Sequence, residues 1–269
     1  MRAPSVSSSS SPSLRLLRKT GSDILAAVQF LTRIPVPAPA YESDALSRAV
    51  KFFPVVGLLL GGAAALLHLL LAPHLPRLIT AILVIAFLIL ITGCFHEDGL
   101  ADAADGFGGG WTREQVLMIL KDSRIGSYGG VALIFSVLGR VLLIASLPLN
   151  QVPPYLIAAH VLSRWTTLPL SYYLPPARVP KEEAGVGQGA RIARLITRGT
   201  LIAGSVFSLA ICVIVLRTHA VFPISGALLV SLVSGLYYQR RINGVTGDCF
   251  GATNQLTEIA VYMTGVWRA

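Results

Sequence analysis

The run His96-Glu97-Asp98-Gly99-Leu100-Ala101-Asp102-Ala103-Ala104-Asp105-Gly106 follows directly on an apolar stretch. Asp98, Asp102 and Asp105 are spaced i, i+4, i+7, which on an α-helix sets all three within about 60° of one another. Like charges at such spacing weaken an isolated helix. The residues between them are Gly, Ala and Leu, so no neighbouring Lys or Arg neutralises the face. A hard divalent cation answers this need. Mg²⁺ takes oxygen ligands, commonly one or two carboxylates plus substrate phosphates, and Asp98, Asp102 and Asp105 are its candidate ligands. The competing account is a solvated acidic helix start, which the helix dipole favours. It explains Asp98 but not the other two. Glu97 points about 100° away and reads as a cap. His96 is open to three readings: ligand, base or interfacial polar residue.

Two more polar clusters carry chemistry. Lys121-Asp122-Ser123-Arg124-Ile125-Gly126-Ser127-Tyr128-Gly129-Gly130 leads into another apolar stretch. Lys121 and Arg124 are natural phosphate partners. Gly126, with Gly129 and Gly130, lets backbone N–H groups approach an anion at a helix start. Basic residues and glycines are also common at a membrane boundary. The third cluster runs from Gly247 to Glu258. In helical register Asp248, Gly251, Ala252 and Gln255 share a face, with Glu258 near it. That face either completes a metal site or forms a polar helix entry. Arg140, His160 and Arg164 interrupt apolar stretches, where a charge is costly and usually faces a cavity or a partner. His160 and Arg164 share a helix face and either reach substrate phosphates or pair with the carboxylates. His68, alone in an apolar stretch, reads as a packed polar residue.

The elements that position these residues are membrane spans. The chain has 269 residues, of which 54% are hydrophobic and 13% charged, and a mean hydropathy of +0.68. A soluble domain carries about 25% charged residues, so this chain cannot cover a soluble surface of its size. A crossing needs about 20 mostly apolar residues. Such stretches recur near 53–72, 78–95, 130–148, 154–173, 200–217 and 219–238, and 255–267 reads as a partial seventh or interfacial helix. The expected fold is all-α, a polytopic integral membrane protein of about six to seven transmembrane helices. Residues 14–34 suit an amphipathic helix on the membrane surface or a packed cytoplasmic one. Residues 1–13 read as a disordered Ser/Pro tail, leaving 14–269 as one membrane domain.

Charge sets the orientation. The net charge is +9. The links 96–129, 174–199 and 239–254 are long and polar and hold ten Lys or Arg, and the first 51 residues hold seven more; the alternate links are short, and they and the adjoining span ends hold only Arg77 and Arg217. Cytoplasmic loops are enriched in Lys and Arg, so both termini and the long links are expected in the cytoplasm, with every acidic cluster on that one face. Aromatic residues are not interleaved with the charges, which argues against nucleic acid. Three widely spaced cysteines give neither a disulfide framework nor a zinc pattern.

Taken together, the ordered motifs resemble the cobalamin synthase family. They are Phe30-Leu31-Thr32-Arg33-Ile34-Pro35-Val36-Pro37, Phe53-Pro54-Val55-Val56-Gly57, His96 through Gly106, Asp122-Ser123-Arg124-Ile125-Gly126, Ser163-Arg164, and Thr246-Gly247-Asp248 with Gly251-Ala252 and Glu258. The resemblance implies a Mg²⁺-dependent enzyme of the cell inner membrane. Its substrates would be adenosylcobinamide-GDP and α-ribazole or α-ribazole 5′-phosphate, and GMP would leave. It makes Asp98, Asp102 and Asp105 the metal ligands, and Lys121, Arg124 and Arg164 phosphate contacts. Asp122 and Asp248 would add to the metal site or act as base. The family usually carries Glu where Gln255 stands. An amide is no base, which shifts acid–base work on that helix toward Glu258. A homo-oligomer is left open.

Two rival activities compete with this one. A CDP-alcohol phosphotransferase also places clustered Asp residues at a membrane boundary. Asp102-Ala103-Ala104-Asp105-Gly106 fits its opening, but Phe107-Gly108-Gly109-Gly110 follows where Ala-Arg is expected. A transporter would use Arg140 and Arg164 to line a path, yet the carboxylates cluster in the links and paired broken spans are not apparent.

Overall fold

The computed structural model describes residues 12–37, 48–122, 124–178 and 196–267, with side chains from Lys19 onward. Residues 1–11 of the Ser/Pro tail, and Lys181, Arg191 and Arg194 of the second long link, lie outside the described residues. Among those described, helices account for nearly all regular structure and no strand forms; one isolated bridge pairs Pro176 with Val245.

Eleven α-helices follow in order among the described residues. They are α1 Pro12–Leu31, α2 Phe53–Leu71, α3 Arg77–Thr92, α4 Phe95–Gly109, α5 Arg113–Ile119, α6 Ser127–Ser146, α7 Val152–Trp165, α8 Thr167–Tyr173, α9 Arg198–Leu216, α10 Val221–Ile242 and α11 Gly247–Trp267. Local sequence sets several of their starts. Proline opens α2 and α7, where its missing N–H costs nothing. Thr112 and Gln115 form a reciprocal capping box on α5. The apolar stretches expected from sequence all fall on helices. By length and composition three stretches can cross a membrane: Val50–Leu71, Ser127–Ser146 and the run Arg198–Ile242. The last is 45 residues long, about twice what one crossing needs. It is interrupted at Arg217, whose φ is 52. Leu201 and Ser205 of α9 line the same groove as Leu232, Gly235 and Gln239 of α10, so the run folds back on itself. The pair α3 and α4 passes as a fourth stretch only when taken together.

Helix α7 sits at the centre, packed on α2, α9 and α11. Nearly every residue from Tyr155 to Arg164 is buried. Its neighbours shield it from lipid, which is why a helix carrying His160 and Arg164 can lie at the core. Gly57 and Gly61 of α2 let the two backbones meet. A Cβ on Gly61 would stand 2.7 Å from the Ile157 Cα, whereas one on Gly62 would meet nothing within 4 Å. Of the adjacent pair Gly61 and Gly62, only Gly61 therefore serves helix packing.

Helix α1 is packed rather than lying free on a surface. Asp23 is 1% exposed and pairs with Arg48 and Lys51, each at 3.1 Å, and this ties α1 to the entry of α2. The C-terminal segment also differs from its expected form. It is not a short partial helix: α11 has 21 residues, about 30 Å of rise. It starts beside the acidic helix α4, and Gly265 near its end packs on Leu147 and Tyr155. Leu147 belongs to the short link after α6. The C-terminal end of α11 therefore lies at the face opposite the polar links, not on the same face as expected.

Candidate active site

Helix α4 is where the expected carboxylates fall, and its placement depends on a kink. Gly93 and Cys94 adopt left-handed φ values of 64 and 60, and α4 leaves α3 at 88°. With 15 residues and four acidic side chains, α4 is too short and too polar to cross by itself. It packs against α11 and along α6, from Asp105 at the start of α6 to Glu97 beside Arg140. Gly99 of α4 meets Gly251 of α11 almost backbone to backbone; a Cβ on Gly99 would stand 3.1 Å from the Gly251 Cα. This crossing sets Asp98 and Asp248 beside one another on two helices far apart in sequence.

Above the crossing opens a cavity of about 310 Å³. Its polar wall is Asp98, Asp248, Arg164, Arg178, His96 and Asn254, and its apolar wall includes Phe30, Phe53, Phe95 and Phe250. Asp248 accepts from the Thr246 hydroxyl at 3.1 Å. Burial and the nearby Asp98 push its carboxyl up, against the pull of Arg178. Partial burial and the charges of Asp98, Asp248 and Asp105 raise Asp102 to about 6. The carboxylates do not converge into a cage: among the described residues no three His, Cys, Asp or Glu side chains are placed to hold a metal ion together.

Several expected site residues are employed elsewhere. Asp105 accepts from the backbone N–H of Gly126 at 2.7 Å and of Gly129 at 2.9 Å. It caps the start of α6, so the anion seated at those glycines is a side chain of the protein and not a substrate phosphate. Asp122 pairs with Arg124 at 2.6 Å, and that guanidinium holds the Asp122 carboxyl down at about 2. Neither residue lines the cavity, nor does the exposed Lys121. Asp105 stands about 10 Å along α4 from Asp98, so this second cluster lies at the far end of that helix.

Beneath the cavity lies a buried ion network. Glu258 accepts from Arg140 at 3.1 Å and from Arg164 at 2.6 Å, and Arg140 also pairs with Glu97 at 2.9 Å. The His160 Nδ1 is 3.0 Å from Glu258, and Gln255 bridges Ser136 to Glu97. Two guanidiniums balance two carboxylates, which is how charges survive in such a place. Glu97 is therefore no cap. Glu258 is not in the cavity wall, and its two guanidiniums leave it poorly suited to take a proton. Only Arg164 of this network reaches the cavity, where its Nε has no partner.

Two residues of the wall escaped the sequence reading. In the sequence Arg178 is simply one of the basic residues of the 174–199 link. The pairing of Ala177 N–H with the Val245 carbonyl and of Val245 N–H with the Pro175 carbonyl, both at 2.9 Å, pins its loop beside Asp248. Its Nε is buried and unpartnered. Asn254 is 2% exposed with an unpartnered Oδ1. No spacing rule links either to the acidic run; the signal exists only once the loops are folded.

The sequence matches the family Cobalamin-5-phosphate synthase over residues 23–266. Adenosylcobinamide-GDP ribazoletransferase of Sinorhizobium medicae is 41% identical over 254 residues, covering 91% of this chain and 96% of that one. The enzymes of the same name from Polaromonas sp. and Vibrio cholerae are each 37% identical, covering 90% and 89% of this chain and 95% and 91% of their own. No solved structure matches.

Proposed function

We infer the reaction from kinship and geometry together: the chain belongs to the cobalamin-5-phosphate synthase family, and it joins adenosylcobinamide-GDP to α-ribazole or its 5′-phosphate in cobalamin biosynthesis. The observation that carries this is the cavity wall, where Asp98 and Asp248 stand with Arg164 and Arg178. A ribose hydroxyl oxygen bonds to the phosphorus that bears cobinamide, and the bond from that phosphorus to the oxygen of GMP breaks. Arg164 and Arg178 bind phosphate oxygens and orient them. Asp248, with its raised affinity for a proton, takes the hydroxyl proton. Phosphoryl transfer asks mainly for such positioning and charge stabilisation.

The donor set fits Mg²⁺ bound partly by substrate. Asp98 and Asp102 would hold it, the remaining ligands coming from phosphate and water. When bound, it would neutralise the diphosphate and support the departing GMP. The apolar helices belong in the cell inner membrane, with the cavity on the cytoplasmic face, where the nucleotide substrates are.

Detergent-purified protein given adenosylcobinamide-GDP, α-ribazole 5′-phosphate and Mg²⁺ should release GMP and the cobalamin product, read by mass spectrometry. EDTA should stop it. Folded protein that yields no product, or that consumes a CDP-alcohol instead, would overturn the reading.

A further inference from the structure

The charged half of the cavity accounts for phosphates and a proton; its aromatic half is unused by that reaction. Phe30 and Phe53 stack at 5.6 Å with their planes 11° apart, and Phe95 sets its edge on Phe30 at 5.0 Å. With Phe250 they line the same cavity as Asp98 and Asp248. These rings come from α1, the first residues of α2 and α4, and α11. Four elements thus converge to build one planar-walled pocket beside polar groups. Phe95 remains 39% exposed, although aromatic rings usually bury their faces.

We propose that this aromatic wall is the binding subsite for the planar heterocycle of the acceptor riboside. The inference rests on the reaction above and assigns its acceptor to a place. Size argues first. A volume of about 310 Å³ admits a nucleoside-sized ligand and excludes a corrinoid ring system, which must stay at the mouth with its diphosphate reaching in. Chemistry separates the two remaining bases. A site that reads guanine needs buried donors and acceptors along the base edge; the four phenylalanines of this wall offer none, and Phe95 is the ring among them left most exposed. An apolar fused heterocycle needs only faces to stack on. The ribose then meets the polar rim. There the buried Oδ1 of Asn254 lacks a donor and accepts from one sugar hydroxyl, while another faces Asp248 and the reacting phosphorus.

The test uses the full chain in detergent, titrated with α-ribazole alone and assayed with both substrates. Phe95 is chosen because its exposure lets the fold tolerate change. Phe95→Ala and Phe95→Leu should each raise the Kd for α-ribazole about tenfold or more, the usual loss when a base forfeits one stacking ring. Phe95→Trp should restore it. The KM for α-ribazole should rise in parallel, with that for adenosylcobinamide-GDP unchanged. An unaltered Kd in Phe95→Ala, or a rise confined to the KM for adenosylcobinamide-GDP, would overturn the assignment. Wild-type protein that binds α-ribazole in a Phe95-dependent way yet makes no product would uphold the subsite and sink the reaction; product formation indifferent to Phe95 would do the reverse.

Discussion

Three aspartates that share one helix face are not equivalent once their neighbours are counted. Asp98 stands in the cavity wall, Asp102 sits in the field of its fellow carboxylates, and Asp105 is occupied by two backbone N–H groups. Asp98→Asn should cut turnover by at least about a hundredfold, as loss of one preorganised electrostatic group does, with little change in melting temperature. Asp105→Ala should do the converse. It removes a helix cap worth about 1 kcal/mol, so the melting temperature falls while a measurable rate survives. A thermal melt and a turnover assay on both variants separate the roles. Asp102 gives a pH signature. Its folded pKa of about 6 lies above the ordinary 3.8, so the metal-free fold binds this proton more tightly than the unfolded chain does. That fold loses stability as pH rises from about 4 through about 6. A cation on the carboxylates cancels the repulsion. The rise in melting temperature caused by Mg²⁺ should therefore be slight near about pH 5 and full above about pH 7. A Mg²⁺ effect that ignores pH over that window would show that these carboxylates do not hold the ion.

Positioning at the level of elements depends on close backbone approaches. Gly99 and Gly251 let α4 cross α11, and the crossing brings Asp98 to Asp248. Gly251→Val should wedge the helices apart, costing about 1–3 kcal/mol by overpacking and lowering turnover further than stability alone explains. Gly62→Ala meets open space on a regular helix and should stabilise slightly, by about 0.5–1 kcal/mol. Equal effects of the two substitutions on the melt would refute the packing argument. The helices and the acidic face were legible in the sequence because hydropathy and the 3.6-residue period are local. Arg178 and Asn254 were not, because a bridge between two loops and a helix crossing bring them to Asp248. Glu97 was misread for a related reason: its helical direction was right, but its partner Arg140 is 43 residues away. The pairing of Arg164 with a carboxylate was one of the two alternatives its position in an apolar stretch allowed, whereas the reading of 255–267 as a partial or interfacial helix fell short of the 21 residues of α11.

Across the whole molecule, the ion network ties α4, α6, α7 and α11 beneath the cavity. Its charges balance, so removing one carboxylate strands a guanidinium. Glu258→Gln should destabilise the protein by about 3–5 kcal/mol, far more than Asp98→Asn, although both remove one charge. A melt of Glu258→Gln matching wild type would mean that water reaches the network. The direction of α11 yields the last prediction. The abundance of Lys and Arg in the long links argues for a cytoplasmic cavity face, and the same charge argument leads one to expect the C-terminus there too. The fold instead carries α11 from the cavity to the short link after α6. Trp111, 90% exposed after α4, and Trp267, 87% exposed at the end of α11, should then lie on opposite sides of the membrane. In a Cys94→Ser background, which removes the exposed thiol, Trp111→Cys should react with an impermeant maleimide only in inverted vesicles. Trp267→Cys should react only in right-side-out ones. Labelling of both from one side would mean that α11 turns back within the bundle's end, and the opposite-face placement of the C-terminus would fall while the cavity, built from the first turns of that helix, would stand.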